Sequence, residues 1–280
     1  MGSFPDGETR VHVILGDPVA QTRSPSGLTS EFAARGVNAI CIPVHVAPAH
    51  FDEFVAALKR GQNIDGLVVT IPHKFAALRH CDEASDRARF LGAANVLYRI
   101  AADRWRGDMT DGAAMVAALQ RAGCDPAGKR ALVVGAGGAG SAVALALVDA
   151  AVATLTVTDV DLKRCRSLVD RLATRTPRIV VGGSSDPAGH DIVVNATPAG
   201  MRPVDPLPVD AARLEPSAFV ADLITRPAMT PLLEAARQRG CTAVTGEDMF
   251  AVQAGGMADI LLRSWRGDMP GRVANATKSG

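Results

Sequence analysis

One glycine-rich segment limits the folds open to this 280-residue chain more than any other stretch. Residues 135–140 read G-A-G-G-A-G and follow the apolar run Arg130–Val134. The run before them predicts a buried strand, and the alanine- and leucine-rich run after them, residues 141–150, predicts a buried helix. A second strand-like run, Thr154–Thr158, ends directly before Asp159.

A strand, a G-x-G-x-x-G turn, a helix and an acidic residue about twenty positions on are typical of a dinucleotide-binding unit. Glycines allow the tight turn and the close approach of a pyrophosphate to the positive N-terminus of the helix. Asp159 would accept hydrogen bonds from the adenosine ribose. This context favours a bound dinucleotide over a merely structural turn, with these candidate pyrophosphate-binding residues: Gly135, Gly137, Gly138 and Gly140.

The rest of the chain alternates strand-like and helix-like runs, which predicts an α/β fold with mostly parallel sheets. Because the length exceeds that of most single cores, we expect two domains. We predict a first α/β domain at residues 1–112 and a Rossmann-like domain at 113–245. A C-terminal helical segment, 246–280, follows the nucleotide unit and is expected to pack back on the first domain.

Composition argues against several functions. The net charge of +1 gives no electrostatic basis for binding nucleic acid or an anionic membrane. Five cysteines without a C-x-x-C pair and six histidines without H-E-x-x-H spacing indicate reduced thiols and no metal site. The chain shows neither a signal peptide nor an apolar run of membrane-spanning length, so we expect a cytoplasmic protein. Monomer and homodimer both stay open.

Outside the glycine turn, polar residues collect in loops where open α/β sheets place their ligands. Together with the segments that follow the nucleotide unit, these are residues 16–25 (GDPVAQTRSP), 66–74 (GLVVTIPHK), 92–95 (GAAN), 107–112 (GDMTDG), 194–201 (VNATPAGM), 222–227 (DLITRP) and 246–254 (GEDMFAVQA). In this order and spacing the seven segments resemble the shikimate dehydrogenase family, including its quinate/shikimate branch. The resemblance runs from about Val11 to Leu262.

The resemblance implies a substrate-binding first domain, a Rossmann-like second domain and an active site in the cleft between them. Lys74 and Asp111 match the catalytic pair of the family. The matching substrate-binding residues are Thr22 and Ser24 for the carboxylate, Thr70 as a further contact, and Asn95 and Gln253 for the ring hydroxyls. The matching residues around the nicotinamide are Thr197, Leu223, Gly246 and Met249.

These residue types suit the oxidation of a secondary alcohol, which needs a hydride acceptor and a group that takes the hydroxyl proton. A partly desolvated lysine can take that proton, and a nearby carboxylate makes Lys74 and Asp111 a coupled pair, in which Asp111 orients the reacting hydroxyl and shares the proton transfer. Structural alternatives stay open at this point. Lys74 could be a solvated surface residue, Asn95 and Asp111 turn residues, Thr22 and Ser24 helix caps, and Gln253 an exposed helix residue.

The chain departs from the family pattern in four places. The first hydroxyl of the pair is threonine, Thr22, and Gln21 precedes it where histidine is common. Val68 and Met109 stand where the family usually has asparagine. Thr225 occupies the position of a tyrosine that commonly helps bind the substrate carboxylate. These changes predict an altered substrate preference, and Arg226 is a candidate for compensating charge.

The resemblance also bears on the cofactor. Typical members end the second strand of the nucleotide unit with Asn-Arg-Thr and use the arginine to grip the 2′-phosphate of NADP. Here the strand is followed by Asp159, Val160 and Asp161. A carboxylate at Asp159 pairs with ribose hydroxyls and repels a phosphate, so we expect NAD to be preferred. Lys163 and Arg164 keep NADP as a second cofactor.

The leading hypothesis is therefore an NAD-dependent dehydrogenase of shikimate, quinate or a close cyclic acid. A divergent paralogue acting on another hydroxy or amino acid, and a ligand sensor without turnover, are the alternatives. Retention of both Lys74 and Asp111 argues against the sensor, because binding alone does not require a proton-transfer pair.

Overall fold

A computed structural model of the protein describes residues 5–176 and 180–263. Within them, two six-stranded sheets follow one another along the chain, each covered by helices. The elements of the first part are β1 (Arg10–Gly16), α1 (Ser24–Ala34), β2 (Ala39–His45), α2 (Phe51–Leu58), β3 (Ile64–Val69), α3 (Lys74–Ala77), β4 (Glu83–Ala84), α4 (Asp86–Leu91), β5 (Val96–Ala101), β6 (Arg104–Asp108) and α5 (Asp111–Arg121). Those of the second part are β7 (Arg130–Val134), α6 (Gly138–Asp149), β8 (Thr154–Thr158), α7 (Leu162–Ala173), β9 (Val180–Gly182), β10 (Ile192–Asn195), β11 (Phe219–Asp222), α8 (Pro231–Gln238), β12 (Thr242–Val244) and α9 (Gly246–Leu261).

The second sheet has the strand order β12-β11-β10-β7-β8-β9, and all its pairs are parallel. After β7 the chain crosses to β8 on one side, whereas β10 pairs with β7 on the other. A parallel sheet binds its ligand at such a reversal of strand order, beyond the carboxyl ends of the strands. The glycine turn after β7 and the loop that carries Thr197 after β10 meet at this point. The sheet therefore has the Rossmann-like organisation that the glycine pattern predicts.

The first sheet has the order β2-β1-β3-β5-β6-β4. Strands β2, β1 and β3 are parallel, and the order also reverses between β1 and β3. The loops after these two strands carry Thr22 and Lys74, so the chemistry-bearing loops of both sheets lie at carboxyl ends of strands.

A hairpin that the sequence analysis missed completes the first sheet. Strand β5 pairs antiparallel with both β3 and β6, and its turn lies between Ala101 and Arg104. No Gly, Pro or Asn occurs in that turn, so the usual hairpin signal is lacking. The segment that begins at Gly107, expected to be a polar loop, is instead the end of β6 followed by the first turn of α5.

Helices α5 and α9 link the two parts. Helix α5 packs on α6 of the second part, and α9 packs on α1, α5 and β5. The return of the C-terminal helix therefore matches the expectation as far as residue 263, and the remainder of 246–280 lies outside the described residues. The domain limits themselves, including a boundary near Gly112 in the first turn of α5, stay a prediction.

The cores of both parts are apolar. Leu67, Leu97 and Trp105 of the first sheet are fully buried, as are Leu132 and Val193 of the second. Within residues 5–176 and 180–263, no helix combines the length and apolar character needed to cross a membrane.

Candidate active site

A cavity of about 170 Å³ opens between the loops of the two sheets. Its wall contains every residue that the sequence analysis assigned to catalysis, to the substrate or to the nicotinamide: Thr22, Ser24, Thr70, Lys74, Asn95, Asp111, Thr197, Leu223, Gly246, Met249 and Gln253. These residues come from positions scattered over most of the chain, and the two sheets bring them together.

Lys74 and Asp111 form the polar centre of this cavity. Nζ of Lys74 donates a hydrogen bond to Oδ2 of Asp111 at 2.5 Å, and the two side chains are 11% and 6% exposed. Lys74 is thus not a solvated surface residue. A buried ion pair requires further hydrogen bonds to offset desolvation, and the other oxygen of the carboxylate receives them.

Two amides complete the shell of Asp111. Nδ2 of Asn95 and Nε2 of Gln253 both donate to its Oδ1, at 2.7 Å and 2.9 Å. Asn95, Asp111 and Gln253 are all buried, which contradicts the alternatives of turn residues and an exposed helix residue. The side chains hold the carboxylate in one orientation because each oxygen has its own donors.

Thr110 is a site residue that sequence reasoning missed. Its Oγ1 accepts hydrogen bonds from Asn95 at 3.0 Å and from Gln253 at 2.8 Å, and its backbone N–H donates to Oδ1 of Asn95 at 2.9 Å. Thr110 therefore fixes the two amides that hold Asp111. Its position directly before a candidate catalytic acid was the available signal, but nothing in the sequence showed which way its hydroxyl points.

His73 explains where the backbone of Lys74 lies. The buried imidazole of His73 stacks on Phe51 with ring centroids 4.3 Å apart, and its Nε2 lies 2.8 Å from the carbonyl oxygen of Val46. Lys74 follows at once as the first residue of α3, and its own carbonyl accepts the N–H of Ala94. The lysine is thereby anchored from both the α2 side and the Asn95 loop.

Thr22 and Ser24 do not act as the helix caps that the structural alternative predicted. Helix α1 begins at Ser24 with Arg23 as its N-cap residue, and no side chain caps it. The hydroxyl of Thr22 donates instead to the carbonyl of Val19 at 2.8 Å. Ser24 is buried in the cavity wall.

The glycine turn lies beside the cavity, and its residues have distinct roles. Gly135 has a φ of +105°, a conformation that L side chains rarely adopt. A Cβ on Gly140 would lie 1.9 Å from the carbonyl oxygen of Gly135, so this position has no room for a side chain. A Cβ on Gly137 would meet no atom of the described residues within 4 Å, which leaves the space before the N-terminus of α6 open.

Gly138 faces the first part of the molecule. A Cβ there would lie 2.8 Å from Cβ of Lys74. Ala139, the next residue of α6, lines the cavity itself. The four glycines and Asp159 are not part of the cavity wall but continue the cleft along the edge of the second sheet.

Asp159 holds the glycine turn from behind. Its carboxylate accepts the N–H groups of Ala136 at 2.7 Å and of Asp161 at 2.8 Å, and the guanidinium of Arg164 lies 3.6 Å away. A carboxylate has about four acceptor positions, and the two N–H groups occupy two of them. Val160, at the position where the family usually has arginine, is fully exposed.

A buried network connects the loops that follow β10 and β11. Asp222, at the end of β11, accepts hydrogen bonds from Thr230, from the N–H of Ile224 and from Asn195. Asn195 in turn accepts the hydroxyl of Thr197 at 2.7 Å. Burial raises the pKa of Asp222 to about 6, against the opposing effect of these hydrogen bonds.

Among the described residues, no group of three or more His, Cys, Asp or Glu side chains is arranged to hold a metal ion. All five cysteines are free thiols. The site therefore offers a lysine, a carboxylate, amides and hydroxyls next to an open helix N-terminus.

Comparison with known proteins agrees with this geometry. Residues 14–97 match the family model described as the shikimate dehydrogenase substrate binding domain. A shikimate dehydrogenase (NADP(+)) from Rubrobacter xylanophilus is 38% identical over 253 residues, which cover 89% of each chain.

Two solved structures are similar over nearly the whole chain. Quinate dehydrogenase from Corynebacterium glutamicum in complex with NAD has 31% identity and a TM-score of 0.78, covering 90% of this chain and 93% of that one. The ligand-free 5-ketofructose reductase of a Gluconobacter strain has 28% identity and a TM-score of 0.78, covering 91% and 93%. The chain thus belongs to the shikimate dehydrogenase family of NAD(P)-dependent oxidoreductases.

Proposed function

We propose that this protein catalyses the reversible, NAD-dependent oxidation of a ring hydroxyl group of a shikimate- or quinate-type cyclic acid, such as shikimate to 3-dehydroshikimate. The observation that carries the proposal is the 2.5 Å contact between Lys74 and Asp111 in the cavity wall, beside Ala139 of α6. The pair can exchange a proton with a substrate, and it lies next to the N-terminus of α6, the proposed nucleotide-binding helix. The quinate and shikimate dehydrogenases among the relatives support the substrate class.

Lys74 transfers the proton. In the oxidation direction its neutral amine takes the proton of the reacting hydroxyl, and in the reduction direction its ammonium gives that proton to the carbonyl oxygen. Asp111 orients the lysine and stabilises the ammonium form, while Asn95 and Gln253 keep the carboxylate fixed. The bound nicotinamide supplies the acceptor for the hydride that leaves the carbinol carbon.

The cleft has the features that a bound dinucleotide requires. The open space at Gly137 and the first turn of α6 would receive the pyrophosphate, since unpaired N–H groups at a helix N-terminus bind anions. Thr197, Leu223 and Met249 would line the nicotinamide face, and Gly246 allows the start of α9 to approach the loop after β11. A Cβ on Gly246 would lie 2.4 Å from the carbonyl oxygen of Ile224.

NAD is the preferred cofactor in this proposal, with NADP as a second one. Asp159 places a negative charge where a 2′-phosphate would bind, and Val160 brings no cation to that position. Arg164 lies close to both Asp159 and Asp161, at 3.6 Å and 3.3 Å. These two carboxylates balance the charge of Arg164, so a 2′-phosphate would gain little attraction from this arginine. The relative from Rubrobacter xylanophilus is named as an NADP(+) enzyme, so a preference for NAD would set this chain apart from it.

Initial rates test the proposal. Shikimate and quinate are each assayed with NAD and with NADP, using the wild type, Lys74→Ala and, as a matched control outside the cavity, Lys129→Ala. We expect turnover with NAD that Lys74→Ala abolishes and Lys129→Ala retains. Absence of turnover on both acids, with NAD still bound, would contradict the proposal and favour a ligand sensor or a divergent paralogue.

A second candidate substrate class is a neutral polyhydroxy ketone or alcohol. Val68 lies in the cavity wall and makes it less polar than the family pattern, whereas Met109 is buried in the apolar core and is not part of that wall. The similarity to 5-ketofructose reductase supports this alternative. Reduction of 5-ketofructose by NADH, measured beside the two acids, separates the candidates.

A further inference from the structure

One end of the cavity is formed by Gln21, Thr22, Arg23, Ser24 and Thr225, and we call it the acid end. In the proposed function this end receives the carboxylate of the substrate. A carboxylate accepts hydrogen bonds only, so its binding depends on how many donors are free. The donors of the acid end can be counted from the structure.

Two of the three hydroxyl groups have already used their proton. Thr22 donates to the carbonyl oxygen of Val19 at 2.8 Å, and Thr225 donates to the carbonyl oxygen of Gln21 at 2.8 Å. A hydroxyl has a single hydrogen, so in this conformation both groups can only accept. Thr225 therefore does not replace the usual tyrosine as a carboxylate donor but joins two loops across the cleft.

Gln21 is partly committed. Its Nε2 donates to the carbonyl oxygen of Pro18 at 2.9 Å, which uses one of its two N–H groups, and its buried Oε1 has no partner among the described residues. Among the described residues, Ser24 is then the one acid-end hydroxyl whose proton has no acceptor. One hydroxyl and one neutral amide N–H, without a positive charge, are too little for an ionised carboxylate removed from water.

Arg23 can supply both the further hydrogen-bond donor and the positive charge that the other acid-end side chains lack. Its Nε is buried and has no hydrogen-bond partner among residues 5–176 and 180–263. Nη2 of the same guanidinium donates a hydrogen bond to Glu247 in the first turn of α9. Of the described residues in the cavity wall, Lys74 and Arg23 are the cations, and Asp111 holds Lys74.

We propose that Arg23 is the specificity-determining residue for the acid group of the substrate. Its guanidinium, rotated from its position beside Glu247, donates to the carboxylate together with Ser24. Arginine has five donors in a planar fork, and Nε shares one edge of that fork with the Nη2 that contacts Glu247, so the substrate carboxylate takes this edge over from Glu247. This inference rests on the proposed function, because it assumes an acid substrate.

Glu247 has a defined part in this arrangement. It neutralises Arg23 in the free protein and competes with the substrate for the same cation. Both side chains are partly exposed, at 33% and 44%, so the pair can rearrange when a ligand enters. Removing the charge of Glu247 should therefore strengthen the binding of the acid, whereas removing Arg23 should weaken it.

The experiment compares an acid with its neutral form. Values of kcat and KM are measured with shikimate and with methyl shikimate for the wild type, Arg23→Gln, Arg23→Lys and Glu247→Gln. Arg213→Gln, an exposed arginine paired with Asp186, is the matched control. We expect Arg23→Gln to raise KM for shikimate roughly 10- to 100-fold with little change in kcat and with a much smaller effect on the ester. Arg23→Lys should restore part of the preference for the acid, since it keeps the charge without the fork.

An unchanged ratio of acid to ester in Arg23→Gln would overturn the proposal, as would a Glu247→Gln variant that binds the acid more weakly. If Arg23→Gln does not fold, judged by its far-UV circular dichroism, Glu247→Gln still decides. If the wild type turns over neither compound, the proposed function fails. Calorimetric titration of shikimate into the wild type and Arg23→Gln then tests Arg23 separately, and equal affinities overturn its role.

Discussion

Gly112 lies so close to Ala142 that a Cβ on Gly112 would stand 2.0 Å from the carbonyl oxygen of Ala142. These residues belong to α5 and α6, the helices through which Asp111 and the glycine turn are connected. The contact is between backbones, so no side-chain movement can relieve a clash there.

Gly112→Ala should therefore destabilise the protein. Overpacking of a tight contact typically costs about 1–3 kcal/mol, and a backbone clash belongs at or above the upper end of that range. The free energy of unfolding, measured by urea denaturation, checks this expectation.

Gly256→Ala is the matched control, because Gly256 is an exposed glycine inside α9. A Cβ there would meet no atom of the described residues within 4 Å. Replacing a glycine in a helix by alanine stabilises by up to about 1 kcal/mol. Equal effects of the two substitutions would show that the contact at Gly112 is not tight.

The amides of Asn95 and Gln253 donate to the same oxygen of Asp111, so their substitutions should not be additive. After the loss of one amide, the other still holds the carboxylate. We expect Asn95→Ala and Gln253→Ala to lower kcat about 10-fold each and the double variant by more than the product, because contacting residues typically couple by about 0.5–3 kcal/mol. Combining Asn95→Ala with Gln120→Ala, at an exposed position of α5, should instead be additive.

The cofactor preference should reverse when the charge around Asp159 is reversed. Asp159→Ser removes the repulsion of a 2′-phosphate, and Val160→Arg adds a cation at a fully exposed position, where folding is little affected. Two charge-assisted contacts of about 1.5 kcal/mol each predict a roughly 100-fold gain in the NADP-to-NAD ratio of kcat/KM. Val160→Gln is the control for the shape of the side chain. A double variant that keeps the wild-type ratio would contradict the role of Asp159.

Asp222 predicts a pH dependence of stability. Its pKa is raised from 3.8 to about 6 by burial. Between these two values the folded protein keeps a proton that the unfolded chain has lost, so stability falls as pH rises through this window. The difference of about two pKa units corresponds to roughly 3 kcal/mol, all of it lost above about pH 6.

The measurement compares the wild type with Asp222→Asn, which cannot titrate. The wild type should lose stability relative to the variant as pH rises from 4 to 7, and the difference should be constant above that range. Asp125→Asn, at an exposed position, should follow the wild-type profile. A wild type that gains stability relative to Asp222→Asn over this range would contradict the assignment.

The sequence predicted the second sheet more fully than the first. The bounds of β7 and β8 agree with the expected ones, because these strands are short apolar runs bounded by clear breaks. The sequence analysis missed the β5–β6 hairpin because residues 101–104 contain no dipeptide that is typical of a turn. The pairing of β5 with β3 depends on contacts between segments distant in sequence, and the periodicity of apolar residues does not predict such contacts.

For the site, the motifs indicated the residues, but the partners of each side chain came from the fold. Arg23 and Glu247 are 224 residues apart, and no local pattern connects them. Likewise, Thr225 reads as a lost carboxylate ligand, whereas its hydroxyl bonds the backbone of Gln21, 204 residues away. The roles of such groups depend on which donors are already in use.

Gly138 belongs to the glycine pattern that predicts nucleotide binding, but the residue for which it makes room is Lys74 of α3. The open face of the turn lies at Gly137, whereas the space that Gly138 leaves free is filled by the first carbon atoms of the Lys74 side chain. Its lack of a side chain therefore preserves the position of Lys74, the proposed proton-transfer group. A variant with a side chain at residue 138 would move the lysine before it touched a pyrophosphate, so the defect would emerge in the chemical step rather than in cofactor affinity.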